Sequence, residues 1–156
     1  MRKKDLIMLS QNRITWEELF CGIAALASKR SPDPHTKVGA CLVKNGCVIG
    51  IGYNGAPRSF DSSSINWSTS EKYDYVIHAE MNAIANACAM GVSCVGADIF
   101  VTLSPCHECM KLIVQHQIRT VYFRDKYKDF ELTDSIARQC GVKLIQLAER
   151  SYHDNH

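Results

Sequence analysis

The sequence predicts an α/β fold built on a mixed β-sheet, and three observations predict it. Asn45-Gly46 joins two apolar β runs, the signature of an antiparallel hairpin. Through the second half, strand-like and helix-like patterns alternate, which demands parallel strands with helices laid over them. The length of 156 residues suits one domain, since domains cluster at about 100–150 residues. A single domain over 1–156 is therefore expected.

Each element has its own signal. Thr15 and Glu18 form a capping-box pattern that opens a helix over 15–29, with Leu19, Phe20, Ile23, Leu26 and Ala27 as its apolar stripe. Pro32 and Pro34 in RSPDPHTK end it, and VGACLVKNGCVIGIGY supplies the hairpin. The polar, Ser-rich stretch 56–74 lacks periodicity and reads as a loop, of a length that is usually functional. From His78 onward a helix is expected, with Met81, Ile84 and Ala85 on one face. ADIFVTL reads as a strand, CMKLIVQH as a helix, TVYF as a strand, DFELTDSIARQ as a helix stopped by Gly141, and VKLIQL as a last strand.

Composition excludes several classes. The chain is 46% hydrophobic and 22% charged, and no run approaches the roughly 18 apolar residues that a membrane span needs. The N-terminal MRKKDLIMLSQNR is basic but has neither a sustained apolar segment nor a small-residue cleavage site, so no secretory signal and a cytoplasmic location are expected. A net charge of +2 with scattered basic residues selects no nucleic-acid partner. Six of the eight cysteines, Cys21, Cys41, Cys47, Cys88, Cys94 and Cys140, sit in apolar patterns where a free thiol behaves as a small hydrophobe.

Cys106 and Cys109 stand apart, because SPCHECM sets them three residues apart where a strand enters a helix beside Pro105, a residue common just inside helix starts. Alone, the pair reads equally as metal ligands, as a thioredoxin-like redox couple or as two buried thiols. His78 shifts the balance, since it too sits where the chain enters a helix, and strand-to-helix junctions of a parallel sheet open on one edge. One histidine and two thiolates leave a fourth tetrahedral position open, the arrangement of catalytic rather than structural zinc. Helix N-termini there would favour the thiolates that metal binding needs. Two thiolates already neutralise Zn2+, so the ion acidifies water less than a three-histidine site would, and a nearby base matters more. Glu80 is the carboxylate close to His78 in sequence that is free to act as that base, although an acid in a helix's first turn is also favoured by the helix dipole alone.

His78-Ala79-Glu80 together with Pro105-Cys106-His107-Glu108-Cys109 resembles the paired H-x-E and P-C-x-x-C motifs of the zinc-dependent cytidine and deoxycytidylate deaminase family. RSPDPHTKVGACLV, GIGYNGAP, Trp67, KYDYVIHAEMNAI and DKYKD resemble its dCMP-specific branch, so the likeness covers about residues 15–147. The resemblance implies a three-layer α/β/α sandwich around a five-stranded mixed sheet. It implies one zinc per chain on His78, Cys106 and Cys109, with Glu80 shuttling protons as an activated water attacks C4 of cytosine and ammonia leaves, turning dCMP into dUMP for thymidylate synthesis. Ala79 N–H would hold the pyrimidine edge, Asn54 the sugar, and Arg30 and Tyr127 the 5′-phosphate; Lys126 reads instead as a solvated surface residue. Gly52, Tyr53, Asn54 and Gly55 would bind dCTP as activator, opposed by dTTP and assisted by Mg2+, in a homo-oligomer, a hexamer. The 56–74 loop holds neither His nor Cys, hence no second zinc is expected. The rivals are a zinc deaminase for free cytidine, a tRNA adenosine or a pterin-like ring, and a catalytically idle zinc-stabilised module.

Overall fold

The computed structural model of the chain describes residues 13–148, which hold four α-helices and five strands. The stretch read for a secretory signal lies outside the described residues apart from Arg13. Helix α1 (Trp16–Ser28) opens on the expected capping box: Glu18 N donates to Thr15 Oγ1 at 3.1 Å, and Thr15 N donates to Glu18 Oε2 at 2.7 Å. Its buried stripe is Phe20, Cys21, Ala24 and Ala27, whereas Leu26 is 63% exposed and Leu19 lies at the surface. That corrects the stripe expected from hydrophobicity. The reason is steric: Gly39 presses so close that a Cβ there would fall 1.9 Å from Ala24 O, so only small residues fit beneath the helix at that point.

Strands β1 (Gly39–Lys44) and β2 (Cys47–Tyr53) form the hairpin. Asn45 (φ 52°) and Gly46 (φ 74°) are both left-handed, as the type I′ turn matching strand twist requires. With β3 (Asp98–Leu103), β4 (Thr120–Asp125) and β5 (Lys143–Gln146), the sheet order is β2-β1-β3-β4-β5. β1 is antiparallel to both its neighbours, and β3, β4 and β5 are parallel. Two antiparallel steps give β2 the direction of β3, so the C-terminal ends of four strands share one edge.

Side chains alternate across this sheet. Leu42, Ile99, Val101, Val121 and Phe123 face α2 (Ala79–Ala89), α3 (His107–Gln115) and α4 (Phe130–Cys140), while Cys41, Val43 and Phe100 face α1. The result is the expected three-layer α/β/α sandwich with a five-stranded mixed sheet. Among the described residues no helix is long and apolar enough to cross a membrane. No disulfide joins any of the eight cysteines; of the six outside the motif, Cys21, Cys41 and Cys94 are buried and Cys47, Cys88 and Cys140 are exposed.

Helix α2 is seated on β2 by small residues from both sides. A Cβ on Gly52 would lie 2.1 Å from Ala79 O, and one on Gly50 2.4 Å from Ala83 O, so the two backbones touch. The buried face is accordingly Ala79, Glu80, Ala83, Ile84 and Ala87; Met81 and Ala85, expected inward with Ile84, point outward. Asn82 Nδ2 donates to Tyr53 O and Asn86 Nδ2 to Ile51 O, each at 2.8 Å, which ties the helix along the strand. Since β2 is an edge strand, these bonds also satisfy carbonyls that no neighbouring strand reaches.

Candidate active site

The shared edge of strand ends is where α2 and α3 begin. His78 caps α2 in extended conformation, so the helix starts at Ala79 and not at His78. Cys106 caps α3 and accepts Cys109 N on its sulfur at 3.5 Å. Pro105 therefore lies just outside the helix, where its carbonyl accepts from Thr133 Oγ1 at 3.0 Å. Caps placed this way aim side chains back over the helix start. His78 Nδ1 is 3.4 Å from both Cys106 Sγ and Cys109 Sγ, and the three atoms lie within 4.8 Å of one another. Tetrahedral zinc with ordinary Zn–S and Zn–N bonds separates N and S ligands by ~3.6 Å, so the donor set and its spacing fit this ion. The fit leaves out Glu80, in keeping with a non-ligand.

The three donors share protons among themselves. Cys109 donates to Cys106, and His78 adds a second bond, which holds the Cys106 thiol down to about 4. Cys109, as the donor, is pushed up by the same bond and by burial. The bond to Cys106 raises His78 above its ordinary value. Glu80 is 4% exposed; burial pushes its carboxyl up to about 7, against the pull of its own backbone N–H and of His78. A carboxyl at that value can both hold and release a proton near neutrality.

Above these groups opens a cleft of about 550 Å³, mouth included, lined by His78, Ala79, Glu80, Cys106, Asn54 and Tyr127 among others. The structure thus brings together every expected site residue except Arg30, Gly52, Tyr53 and Gly55, with Cys109 buried at the metal cluster below. Ala79 N–H belongs to the first turn of α2, where N–H groups have no intrahelical acceptor. Asn54 is 7% exposed; its Oδ1 accepts from Val38 N and its Nδ2 donates to Thr36 O, both at 2.8 Å. Arg30 lies elsewhere. Its guanidinium sits 5.8 Å above the Tyr53 ring, in a second, open groove shared with Gly52, Gly55 and Arg58. The turn after α1 carries it there, away from the cleft and its expected phosphate contact.

Sequence reasoning missed a buried ion pair in the cleft wall. Lys72 Nζ lies 2.7 Å from Asp33 Oδ2, with the residues 8% and 2% exposed. Asp33 Oδ1 also accepts from His35 N at 2.8 Å and Thr36 N at 3.2 Å. Burial pushes the Asp33 carboxyl up, but Lys72 and the two N–H groups outweigh it and leave it below its ordinary value. Lys72 comes from a 3-10 turn, Ser70–Asp74, inside the Ser-rich loop. That loop is pinned at its neck, where Gly55 N donates to Ile77 O at 3.1 Å and Ile77 N to Gly55 O at 2.8 Å.

Comparison with known proteins agrees with this geometry. The pattern of the cytidine and deoxycytidylate deaminase zinc-binding region matches residues 14–125. The deoxycytidylate deaminase of Mus musculus is 44% identical over 147 residues, 89% of this chain and 80% of its own. That of Homo sapiens is 44% identical over 124 residues, 74% of this chain and 68% of its own. Among solved structures, the apo dCMP deaminase of cyanophage S-TIM5 superposes with a TM-score of 0.70 at 28% identity, covering 94% of this chain and all of that one. The same phage enzyme in complex with dCMP and dUMP gives 0.64 at 28% identity, covering 94% of this chain and 99% of that one. With a matching zinc-binding region, close relatives and the metal-ligand cluster in agreement, the chain belongs to the cytidine and deoxycytidylate deaminase family.

Proposed function

We propose that the chain hydrolyses dCMP to dUMP and ammonia, supplying dUMP for thymidylate synthesis. The observation that carries this reading is the cluster of His78, Cys106 and Cys109 with buried Glu80 beside it, in a chain whose relatives act on deoxycytidylate and whose phage relative holds dCMP and dUMP. His78 Nδ1 and the two sulfurs would hold one zinc ion, which would supply the Lewis acidity that makes water a nucleophile near neutral pH. Glu80 carries two protons in turn, the first from the attacking water to ring N3 and the second from the new C4 hydroxyl to the amine, so the C4–N4 bond breaks as ammonia leaves and C4 keeps the oxygen. Ala79 N–H donates to the pyrimidine edge, Asn54 approaches the sugar, and Tyr127 borders the phosphate end.

Arg30, Gly52, Tyr53 and Gly55 fit a second role in this reading, whereas Asn54 lines the cleft and not the groove. Arg30 and Arg58 line the open groove with Gly52, Tyr53 and Gly55 and supply paired donors for phosphate oxygens, so the groove takes dCTP as activator and dTTP as inhibitor, with Mg2+ on the triphosphate. Gly52 also has a packing duty beneath α2, which the resemblance did not indicate. The reading takes residues 1–156 as one domain, assembled as a homo-oligomer, a hexamer. The absence of a disulfide among the eight cysteines supports a reducing, cytoplasmic compartment. Ammonia release from dCMP, CMP, deoxycytidine and dCTP, each with and without dCTP or dTTP as effector, tests the whole. Turnover of dCMP above the other three is expected; no release from dCMP by a zinc-replete chain overturns the function, and a hyperbolic, triphosphate-insensitive response overturns the regulation.

A further inference from the structure

The turn that presents both cysteines is braced from outside at Ser104, Pro105 and His107. Ser104 N donates to Asp125 O at 2.7 Å, and Tyr127 N donates to Ser104 Oγ at 2.7 Å. Thr133 Oγ1 donates to Pro105 O at 3.0 Å. The centre of the brace is Asp129. Its Oδ2 accepts His107 N at 3.0 Å and lies 2.6 Å from His107 Nδ1. His107 is the residue between Cys106 and Glu108 in the motif, in the first turn of α3. Asp129 occupies the N-cap position of α4, where an aspartate ordinarily accepts from its own helix, yet its side chain makes no such bond. Both of its contacts go to the cysteine-bearing turn through one oxygen, while Oδ1 is buried with no partner among the described residues. An aspartate that forgoes its own helix and leaves an oxygen unpaired is held there by what it does for its neighbour.

We propose that Asp129 is a positioning residue for the metal centre, fixing the His107 backbone so that the Cys106 and Cys109 sulfurs converge with His78 Nδ1. It touches neither metal nor substrate. The proposal rests on the zinc reading of those three residues. Partners of this kind, one step behind the ligands, govern metal affinity by about 10–100-fold because small rotations of a ligand-bearing turn spoil the coordination geometry.

The test measures zinc release from the loaded full-length chain to a chromogenic chelator, together with the absorption of the cobalt(II)-substituted protein. Asp129→Ala is expected to weaken zinc retention by about 10–100-fold and to shift the thiolate-to-cobalt band. Asp129→Asn keeps an accepting oxygen and His107→Ala keeps the main-chain bond, so both lose less. Val142→Ala, a buried change far from the turn, serves as the control: it lowers Tm without altering zinc retention or the cobalt spectrum. Should Asp129→Ala not fold, the two milder variants decide. Zinc retention and cobalt spectra equal to wild type in the variants overturn the role, even if Tm falls. A wild-type chain that takes up no zinc overturns the metal reading itself, and this role with it.

Discussion

The cleft and the groove sit on either side of α2's first turns and are built on opposite principles. In the cleft, charge is buried and answered from within: Asp33 and Lys72 pair at 2.7 Å, and Glu80 is sealed at 4% exposure. In the groove, Arg30 and Arg58 are exposed at the surface; Arg58 binds Asn86 Oδ1 at 2.8 Å and Arg30 stacks over Tyr53, with no carboxylate among the lining residues. The first region is finished by the chain alone. The second offers positive charge to whatever arrives, and its affinity will depend on salt as surface electrostatics do.

The sharpest way to break this contrast is at Glu80. Glu80→Gln is expected to lower kcat by about 10²–10⁴-fold, the usual share of general acid–base catalysis, while zinc content measured by metal analysis stays unchanged. Equal loss of metal would make Glu80 part of the ligand set. Next is Lys72→Met, which strands the Asp33 carboxylate in the cleft wall and should destabilise the fold by about 3–5 kcal/mol in denaturant melts. The matching change in the groove, Arg30→Met, should stay within about 0.5 kcal/mol. Gly52→Ala comes third, at about 1–3 kcal/mol, because its Cβ meets Ala79 O at 2.1 Å; kcat should fall with it as α2's start moves.

Acid sharpens the contrast further. Asp33 sits below its ordinary value in the folded chain, so its stabilisation is fully present above the unfolded carboxylate value of about 3.9 and fades as pH falls through the folded one. Wild type should therefore lose Tm more steeply below about pH 4 than Asp33→Asn does. The smallest expected effect is Arg58→Ala, which leaves dCMP turnover without effector unchanged and removes the dCTP response; an undiminished response would take the groove out of the regulation.

What the sequence made readable follows the range of the interactions. His78, Glu80, Cys106 and Cys109 were found because each motif is local and the sheet's directionality brings the two together. Asp33 and Lys72 are 39 residues apart and meet only through a loop with no periodic pattern, so nothing local announced them. The faces of α1 and α2 were misjudged for a different reason. Hydrophobicity favours Leu26 and Met81 as inward residues, but close backbone approach favours Ala24 and Ala83, and contact with Gly39, Gly50 and Gly52 decided the matter. Arg30 lines the groove and not the cleft, which the sequence does not foretell because a helix's end fixes position along the chain and leaves the exit direction open.

The asparagines that bind Ile51 O and Tyr53 O carry a consequence outside catalysis. An uncovered edge strand is a template for intermolecular pairing and aggregation. Here the helix that delivers His78 and Glu80 also shields that edge, so a variant that unseats α2 loses activity and solubility together. The same two side chains, Asn82 and Asn86, hold the helix over that edge.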